Sequence, residues 1–229
     1  MNGIFERTEA LFGRDALARL RGARALVVGV GGVGGWCAEA LARTGFGAVE
    51  VIDDDVVAES NLNRQCPATA ATVGMDKVEA MKARLEAVNP QCSVTARRER
   101  YVGGIDLAGF DVVVDAIDSV DCKAELILAA TAAGRSFFSS MGAALRVDPT
   151  KVRMTAFDKV EGDGLARALR RRFKATGRYP VRQFKCVWSA ETPRAEAEGR
   201  VKGSCMAVTA TFGMCLAAAA VRAVAEGGR

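Results

Sequence analysis

Gly29-Val30-Gly31-Gly32-Val33-Gly34 follows the apolar run Ala25-Leu26-Val27-Val28 and precedes a segment of helical character. Glycines permit a tight turn there and let the backbone approach a phosphate. The helix start adds unpaired N–H groups and a partial positive charge. Asp53 closes the next apolar run, Val49-Glu50-Val51-Ile52, where a carboxylate can accept hydrogen bonds from ribose hydroxyls. Strand, glycine turn, helix and acidic partner together read as a nucleotide site. The same loop satisfies Gly-x-Gly-x-x-Gly, so a nicotinamide dinucleotide is the rival ligand.

Downstream residues separate the two. Asn61-Leu62-Asn63-Arg64-Gln65 lies in a long segment after Asp53. Lys77 opens a helical stretch, and Asp118 closes Asp115-Ala116-Ile117-Asp118. Taken singly, Arg64 and Lys77 read as solvated surface charge and Asp118 as a helix cap. Together, behind this glycine loop, they suit a triphosphate. Arginine supplies a planar fork, lysine a point charge, and aspartate can hold Mg2+. A dinucleotide oxidoreductase has no need of all three.

These residues need a frame, and the hydrophobic pattern supplies one. Apolar runs at 25–30, 49–52, 110–115 and 136–140, with a weaker one at 94–96, predict strands. Helical periodicity predicts helices over 7–21, 33–44, 76–88 and 120–133. Strands alternating with helices imply an α/β fold with a Rossmann-like, largely parallel sheet flanked by helices. Ligands bind such sheets at the carboxyl ends of the strands, where Gly31, Asp53, Asp115 and Asp118 all fall. The segment between Asp53 and Lys77 is long for a connection, which points to function. Beyond residue 145 the pattern loosens. Strands are expected at 145–147 and 152–156, a helix over 164–176, an extended 186–188 and a helix over 205–225. The chain is expected to be a single domain over 1–229. Its nucleotide-binding core covers 1–145, and 146–229 form a substrate-side extension with a C-terminal helix.

Composition narrows the chemistry. Of the 229 residues, 50% are hydrophobic and 26% charged, a globular balance. No histidine is present, which excludes a Ser-His-Asp triad, an imidazole base and a histidine-ligated metal. The seven cysteines include no Cys-x-x-Cys pair. They read as scattered thiols in a reducing compartment, not as a zinc knot or a disulfide framework. The opening Met1-Asn2-Gly3-Ile4-Phe5-Glu6-Arg7 carries charge and lacks the apolar core of a signal peptide. Residues 203–221 are uncharged and nearly long enough to span a bilayer, but Ala, Thr and Gly dominate them. A buried packing helix is the expectation, with no stable membrane insertion and a cytoplasmic location.

The ordered set Arg7, Gly29-x-Gly31-Gly32-x-Gly34, Asp53-x-Asp55, Asn61-x-x-Arg64-Gln65, Lys77 and Asp115-x-x-Asp118 resembles the ubiquitin-activating-type adenylyltransferases. That superfamily includes the ThiF, MoeB and HesA proteins. The resemblance implies ATP, Mg2+, adenylation of a substrate carboxylate and a homodimer. It implies that Gly31 and Gly32 line the phosphates, with Gly29 and Gly34 in the same nucleotide-binding loop, and that Asp53 binds ribose. Asp55 and Asn61 belong to the same nucleotide site. Arg64 and Lys77 would hold phosphates, Asp118 would position Mg2+, and Arg7 would reach the phosphates, across a dimer or within the chain. A narrower set extends nearly end to end. Phe5-Glu6-Arg7-Thr8-Glu9, Met141-Gly142-Ala143-Ala144, Cys186-Val187-Trp188-Ser189-Ala190-Glu191 and Val208-Thr209-Ala210-Thr211-Phe212-Gly213 are similar to tRNA threonylcarbamoyladenosine dehydratases. This implies a ligase-type enzyme that activates the threonyl carboxylate beside the anticodon and closes a ring with net loss of water. The alternative is activation of the C-terminus of a ubiquitin-like sulfur carrier, against which the missing zinc cysteines count. A nucleotide-sensing module would bind ATP without releasing pyrophosphate. A sulfur-transfer or redox partner stays open, and Cys186 and Cys205 are the thiols to inspect for catalysis.

Residues 165–185 contain Arg167, Arg170, Arg171, Arg172, Lys174, Arg178, Arg182 and Lys185 and no acid. The chain as a whole is only +5, so the remainder is net acidic. Arg167, Arg170, Arg171, Lys174 and Arg178 recur at helical spacing and are expected on one face. Phe173, Tyr179, Phe184 and Trp188 are interleaved. Such a stripe suits the phosphates and unstacked bases of a tRNA anticodon loop. An ordinary solvated helix face and a small acidic carrier protein are the competing readings.

Overall fold

The computed structural model describes residues 3–195 and 202–227. Met1 and Asn2, at the head of the opening segment, lie outside them. Its strands are β1 (Arg24–Val28), β2 (Ala48–Ile52), β3 (Ser93–Arg97), β4 (Val112–Asp115), β5 (Ser136–Ser140), β6 (Val152–Ala156) and β7 (Lys185–Ser189). Its helices are α1 (Glu6–Phe12), α2 (Arg14–Gly22), α3 (Gly34–Thr44), α4 (Lys77–Val88), α5 (Val120–Ala133), α6 (Gly164–Thr176) and α7 (Met206–Ala225).

The strands form one sheet in the order β3-β2-β1-β4-β5-β7-β6. Every pairing is parallel except β6 with β7 at the edge. Side chains alternate across it. Ala25, Val27, Val112 and Val114 face a core shared with α2, α3, α4 and α7. Leu26, Val28 and Val113 face a second core with α5 and α6. A sheet covered on both faces explains why β1 and β4 read as unbroken apolar runs. Strand order reverses at β1, with β2 on one side and β4 on the other, and that crevice is where the glycine loop opens.

Two expected elements differ. The helix over 7–21 is two helices, because Gly13 adopts φ 87 between them. No strand forms at 145–147. Leu145 stands at φ 63, and the buried Arg146 guanidinium gathers the carbonyls of Gly142, Ala144 and Glu191 while pairing with Asp163 at 3.2 Å. A loop folded around its own arginine cannot also run extended.

The extension after residue 145 continues the same sheet through β7 and β6 and returns as α7. That helix is long and apolar enough to cross a membrane, and here it packs along α3. Phe212, Leu216 and Ala220 are buried in the contact. At its centre is Gly213, where a Cβ would lie 2.5 Å from the Val33 carbonyl oxygen and 3.0 Å from the Cys37 nitrogen. Both are backbone atoms that cannot step aside. Gly213→Ala is therefore expected to lower stability by about 1–3 kcal/mol, read as a lower urea midpoint at unchanged slope. An unaltered midpoint would show that α7 does not need this approach.

Candidate active site

The glycine loop is built by backbone crowding. Gly29 has φ +87, and a Cβ on it would stand 2.7 Å from the Ala116 carbonyl oxygen. A Cβ on Gly34 would meet the Gly29 carbonyl oxygen at 1.8 Å. These two glycines are required by the chain's own packing. Gly31 and Gly32 are different. A Cβ on either meets only side chains, those of Gln65 or of Arg64 and Thr209, at 3.4 Å or more. Nothing inside the molecule demands glycine there, which leaves backbone access for a ligand as the physical reason.

Asp53 ties this loop to β2. Its Oδ2 accepts from the Val30 N–H at 2.8 Å and its Oδ1 from the Asp55 N–H at 3.0 Å. Burial pushes its carboxyl above the ordinary range, opposed by the nearby Lys77 ammonium and those N–H donors. Lys77 is itself buried and pairs with Asp55 Oδ2 at 2.6 Å. Asp53, Asp54 and Asp55 bring carboxylate oxygens within 4.8 Å of one another.

The segment from Asp53 to Lys77 is ordered by side chains. Asn61 Oδ1 accepts from the Ala58 N–H at 3.0 Å, and its carbonyl accepts from the N–H groups of Arg64 and Gln65. Asn61 thus builds the turn that sets Arg64 and Gln65 against the glycine loop. The indole of Trp36 on α3 donates to the Arg64 carbonyl at 2.9 Å. Arg64 Nη1 donates to the Ser60 carbonyl and to Asn63 Oδ1, both at 2.8 Å. Gln65 is buried beside Gly31, and its Oε1 has no hydrogen-bond partner. Deeper in, Glu39 accepts from Arg84 at 3.2 Å and from the Cys66 thiol at 2.9 Å, and pairs with Arg43 at 2.8 Å. Burial opposes the charge on Glu39, but these partners hold its carboxyl below the ordinary value.

At the end of β4, Asp115 and Lys123 form an ion pair of 2.8 Å in which both side chains are fully buried. Ser139 donates to Asp115 Oδ2 at 2.6 Å, the Ile117 N–H to Oδ1 at 3.1 Å, and Lys123 to the Ile117 carbonyl at 2.8 Å. Burial pushes the Asp115 carboxyl up against the pull of Lys123. This knot fixes the 116–118 turn against Gly29 and leaves Asp118 exposed at the head of α5.

The structure therefore gathers Gly29, Gly31, Gly32, Gly34, Asp53, Asp55, Asn61, Arg64, Lys77 and Asp118 at the carboxyl ends of β1, β2 and β4. It does not bring Arg7 there. Phe5 packs beside Gly45, which caps the far end of α3. An 11-residue helix separates that end from the glycine loop by about 16 Å. Arg7, two residues from Phe5, is exposed and touches no site residue of its own chain among the described residues.

The basic stripe is also divided. Arg170 donates to the carbonyls of Phe157 and Val160, each at 2.8 Å, and lies over the Phe157 ring. Arg178 lies past the Gly177 cap of α6 and clasps Glu125 with two bonds of 2.7 and 3.0 Å. Both serve the fold. Arg167, Arg171 and Lys174 stand exposed on α6. Trp188, expected among the stacking aromatics, is core and donates to Thr155 Oγ1 at 2.9 Å. Cys186 is fully buried, and burial pushes its thiol up to about 12, the reverse of what a nucleophile needs.

Sequence reasoning left Gln65 without a role and missed Lys123 and Arg100. Arg100 donates to Cys122 Sγ at 3.4 Å and feels the charges of Asp54 and Asp118. A lysine in the apolar stretch that follows Asp115 was the available signal for Lys123.

The two unexplained glycines and the cluster of cations fit a nucleotide's phosphates, and the orphaned Gln65 oxygen, an acceptor, fits a ribose hydroxyl or a base N–H. The hard carboxylate oxygens of Asp54, Asp55 and Asp118 fit a divalent cation such as Mg2+.

Comparison with known proteins agrees with this geometry. The profile of the ThiF family matches residues 5–228. The chain is 38% identical over 194 residues to the tRNA threonylcarbamoyladenosine dehydratase of Bacillus subtilis, covering 82% of this chain and 75% of that one. The crystal structure of the Escherichia coli tRNA N6-threonylcarbamoyladenosine dehydratase in complex with AMP superposes with a TM-score of 0.87. Identity is 36%, with 96% of this chain and 93% of that one covered. Its complex with ATP gives a TM-score of 0.84 at the same identity and coverage.

Replacing Lys123 with methionine strands a buried carboxylate and is expected to cost about 3–5 kcal/mol at pH 7. Without the lysine, the folded-state pKa of Asp115 rises further above its unfolded value. The deficit is then full at pH values above the folded pKa and shrinks as pH falls toward the unfolded one. Urea titrations of the variant and parent at several pH values measure it, and a deficit independent of pH would contradict this account of the pair.

Proposed function

The chain belongs to the ThiF family, and from that membership we propose that it dehydrates the threonylcarbamoyl group of an adenosine in tRNA at the expense of ATP. The observation that carries this reading is likeness over nearly the whole chain, extension included, to dehydratases whose structures hold AMP and ATP. A carrier-activating role is less well supported, because the 229 residues contain no Cys-x-x-Cys pair.

The chemistry suits a chain without histidine. The threonyl carboxylate is ionised at pH 7 and is an adequate nucleophile without a base. One of its oxygens attacks the α-phosphorus of ATP, and pyrophosphate leaves. An atom of the carbamoyl arm then attacks the activated carbonyl carbon, and AMP departs with the former carboxylate oxygen. The ring closes with net loss of water from the nucleoside. In-line transfer of this kind needs positioning and charge neutralisation above all.

The chain's groups divide that work. Gly31 and Gly32 admit the phosphates to the backbone at the start of α3. Asp53 is the ribose acceptor. Arg64 and Lys77 turn from their present acceptors, Asn63 and Asp55, to phosphate oxygens, and Gln65 adds its amide. Asp118, with Asp54 and Asp55 near, would hold Mg2+, which when bound neutralises phosphate charge. Arg7, remote from its own glycine loop, serves the phosphates of a second subunit, so the working form is a homodimer. Arg167, Arg171 and Lys174 meet the tRNA backbone. We place the enzyme in the cytoplasm with its tRNA, with α7 as a packing helix and no membrane insertion.

Incubation with ATP, Mg2+ and threonylcarbamoylated tRNA is expected to remove the mass of one water from that nucleoside, read by mass spectrometry of the digest. Asp118→Ala lowers the rate by roughly a hundredfold; a rate within a few-fold of the parent would refute the phosphate and Mg2+ assignment. Arg7→Ala and Asp118→Ala are each strongly impaired alone and regain activity when mixed, because the mixed dimer holds one complete site. Failure to complement, with mixed dimers demonstrated, would place Arg7 within its own chain's site.

A further inference from the structure

A second concavity lies away from the glycine loop. A cavity of about 370 Å³ opens between the end of β6, α6 and the segment entering β7. Its floor is aromatic. Phe157 and Phe184 stack at 5.0 Å and 19°, and Phe173 meets Phe157 edge-on at 80°. Arg170 is a fixed wall, its guanidinium 5.0 Å from the Phe157 centroid and bonded to two carbonyls. At the mouth, Tyr179 and Val181 are 57% and 70% exposed. Asp158, paired with Gln183 at 3.3 Å, and Arg182 complete the rim.

An exposed tyrosine over an aromatic floor is not needed to close the core, since Phe173 and Phe184 are already buried beneath it. The helix beside it is cationic. Residues 165–185 hold eight basic side chains and no acid, and Arg167, Arg171 and Lys174 stand exposed on the adjacent helix. A flat apolar slot beside a cationic ridge matches single-stranded RNA, whose backbone follows the charge while a base turns in to stack.

The sheet sets the reach. β7 lies three strands from β1, about 15 Å at ordinary strand spacing. Lys185 pairs with Phe138, which is level with Val114 and Val27. The pocket precedes Lys185, and Arg182 on its rim reaches Gly134 ahead of β5, so it lies to one side of the nucleotide site and toward the amino ends of the strands, a distance a few nucleotides of one strand can span.

We propose that the pocket formed by Phe157, Phe173, Tyr179 and Phe184 captures an unstacked nucleobase of the tRNA loop, a few nucleotides from the adenosine being modified. The proposal rests on the tRNA dehydratase reading and adds a second anchor to it. Held at two points, the loop cannot slide, and the threonylcarbamoyl arm is delivered to ATP in register.

The test uses anticodon stem-loop RNAs carrying 2-aminopurine at single loop positions, titrated with the full chain. One position is expected to change fluorescence strongly on binding the parent. Tyr179→Ala abolishes that change and raises the Kd for RNA at least about fivefold, whereas Tyr179→Phe retains both. Absence of a responding position, or parental affinity in Tyr179→Ala, overturns the pocket. So does a Tyr179→Ala variant that loses self-association while binding RNA as before, because the pocket is then a subunit contact. A parent that dehydrates threonylcarbamoylated tRNA while the variants match it refutes this inference alone. A parent that neither binds nor dehydrates it refutes the functional reading as well.

Discussion

The fully buried pair between Asp115 and Lys123 is the interaction on which the site depends. Removing two charges from water is expensive, and the Coulomb attraction offsets that cost only when the remaining polar atoms are satisfied. Here they are, by Ser139, the Ile117 N–H and the Ile117 carbonyl. Together these contacts join four pieces of the frame: β4 through Asp115, β5 through Ser139, the 116–118 turn through Ile117 and α5 through Lys123. An apolar pair would fill the volume without directing the turn. The ionic one sets the Ala116 carbonyl against Gly29 and leaves Asp118 facing outward.

That constraint propagates through the backbone. Because Ala116 crowds Gly29, and Gly29 crowds Gly34, the loop between them has one course. Asp53 then pins Val30 from the other side, and α7 presses on Val33 through Gly213. The phosphate-facing backbone is thus held by β2, β4 and a helix from the far end of the chain. Preorganisation of this kind is what a transfer reaction without acid–base groups requires. It also explains why the extension after residue 145 is integral to the site: α7 forms part of the wall behind the glycine loop.

Charge is divided between support and recognition. Arg146 and Arg170 spend their donors on carbonyls of neighbouring loops, and Arg178 is held by Glu125. Each shapes a loop that the fold would otherwise leave undirected. Arg167, Arg171 and Lys174 keep their charge in water, where its field reaches beyond the surface. Arg64 and Lys77 sit between these cases, with local acceptors that phosphate oxygens can replace.

The sequence by itself determined the parallel sheet, the glycine turn and the chemical identity of the nucleotide site. Those signals are local: apolar runs fix strands, and a motif's residues travel together along the chain. The family resemblance likewise required only order and spacing. Tertiary structure decided which polar residues act and which support. Arg167, Arg170, Arg171 and Lys174 share helical spacing, yet Arg170 is drawn inward by two carbonyls that belong to a distant turn. Asn61 reads as a ligand in sequence, and only the folded chain shows that its Oδ1 and carbonyl also build the turn carrying Arg64 and Gln65. Arg7 stands near the site's residues only in a list of motifs, because α3 carries the chain about 16 Å from the glycine loop before Phe5 packs on its end. Leu145-Arg146-Val147 has strand-like residues, but the partners of Arg146 come from three segments that no local pattern connects. Hydrogen bonds between residues remote in sequence carry no periodicity, so only the folded chain reveals them.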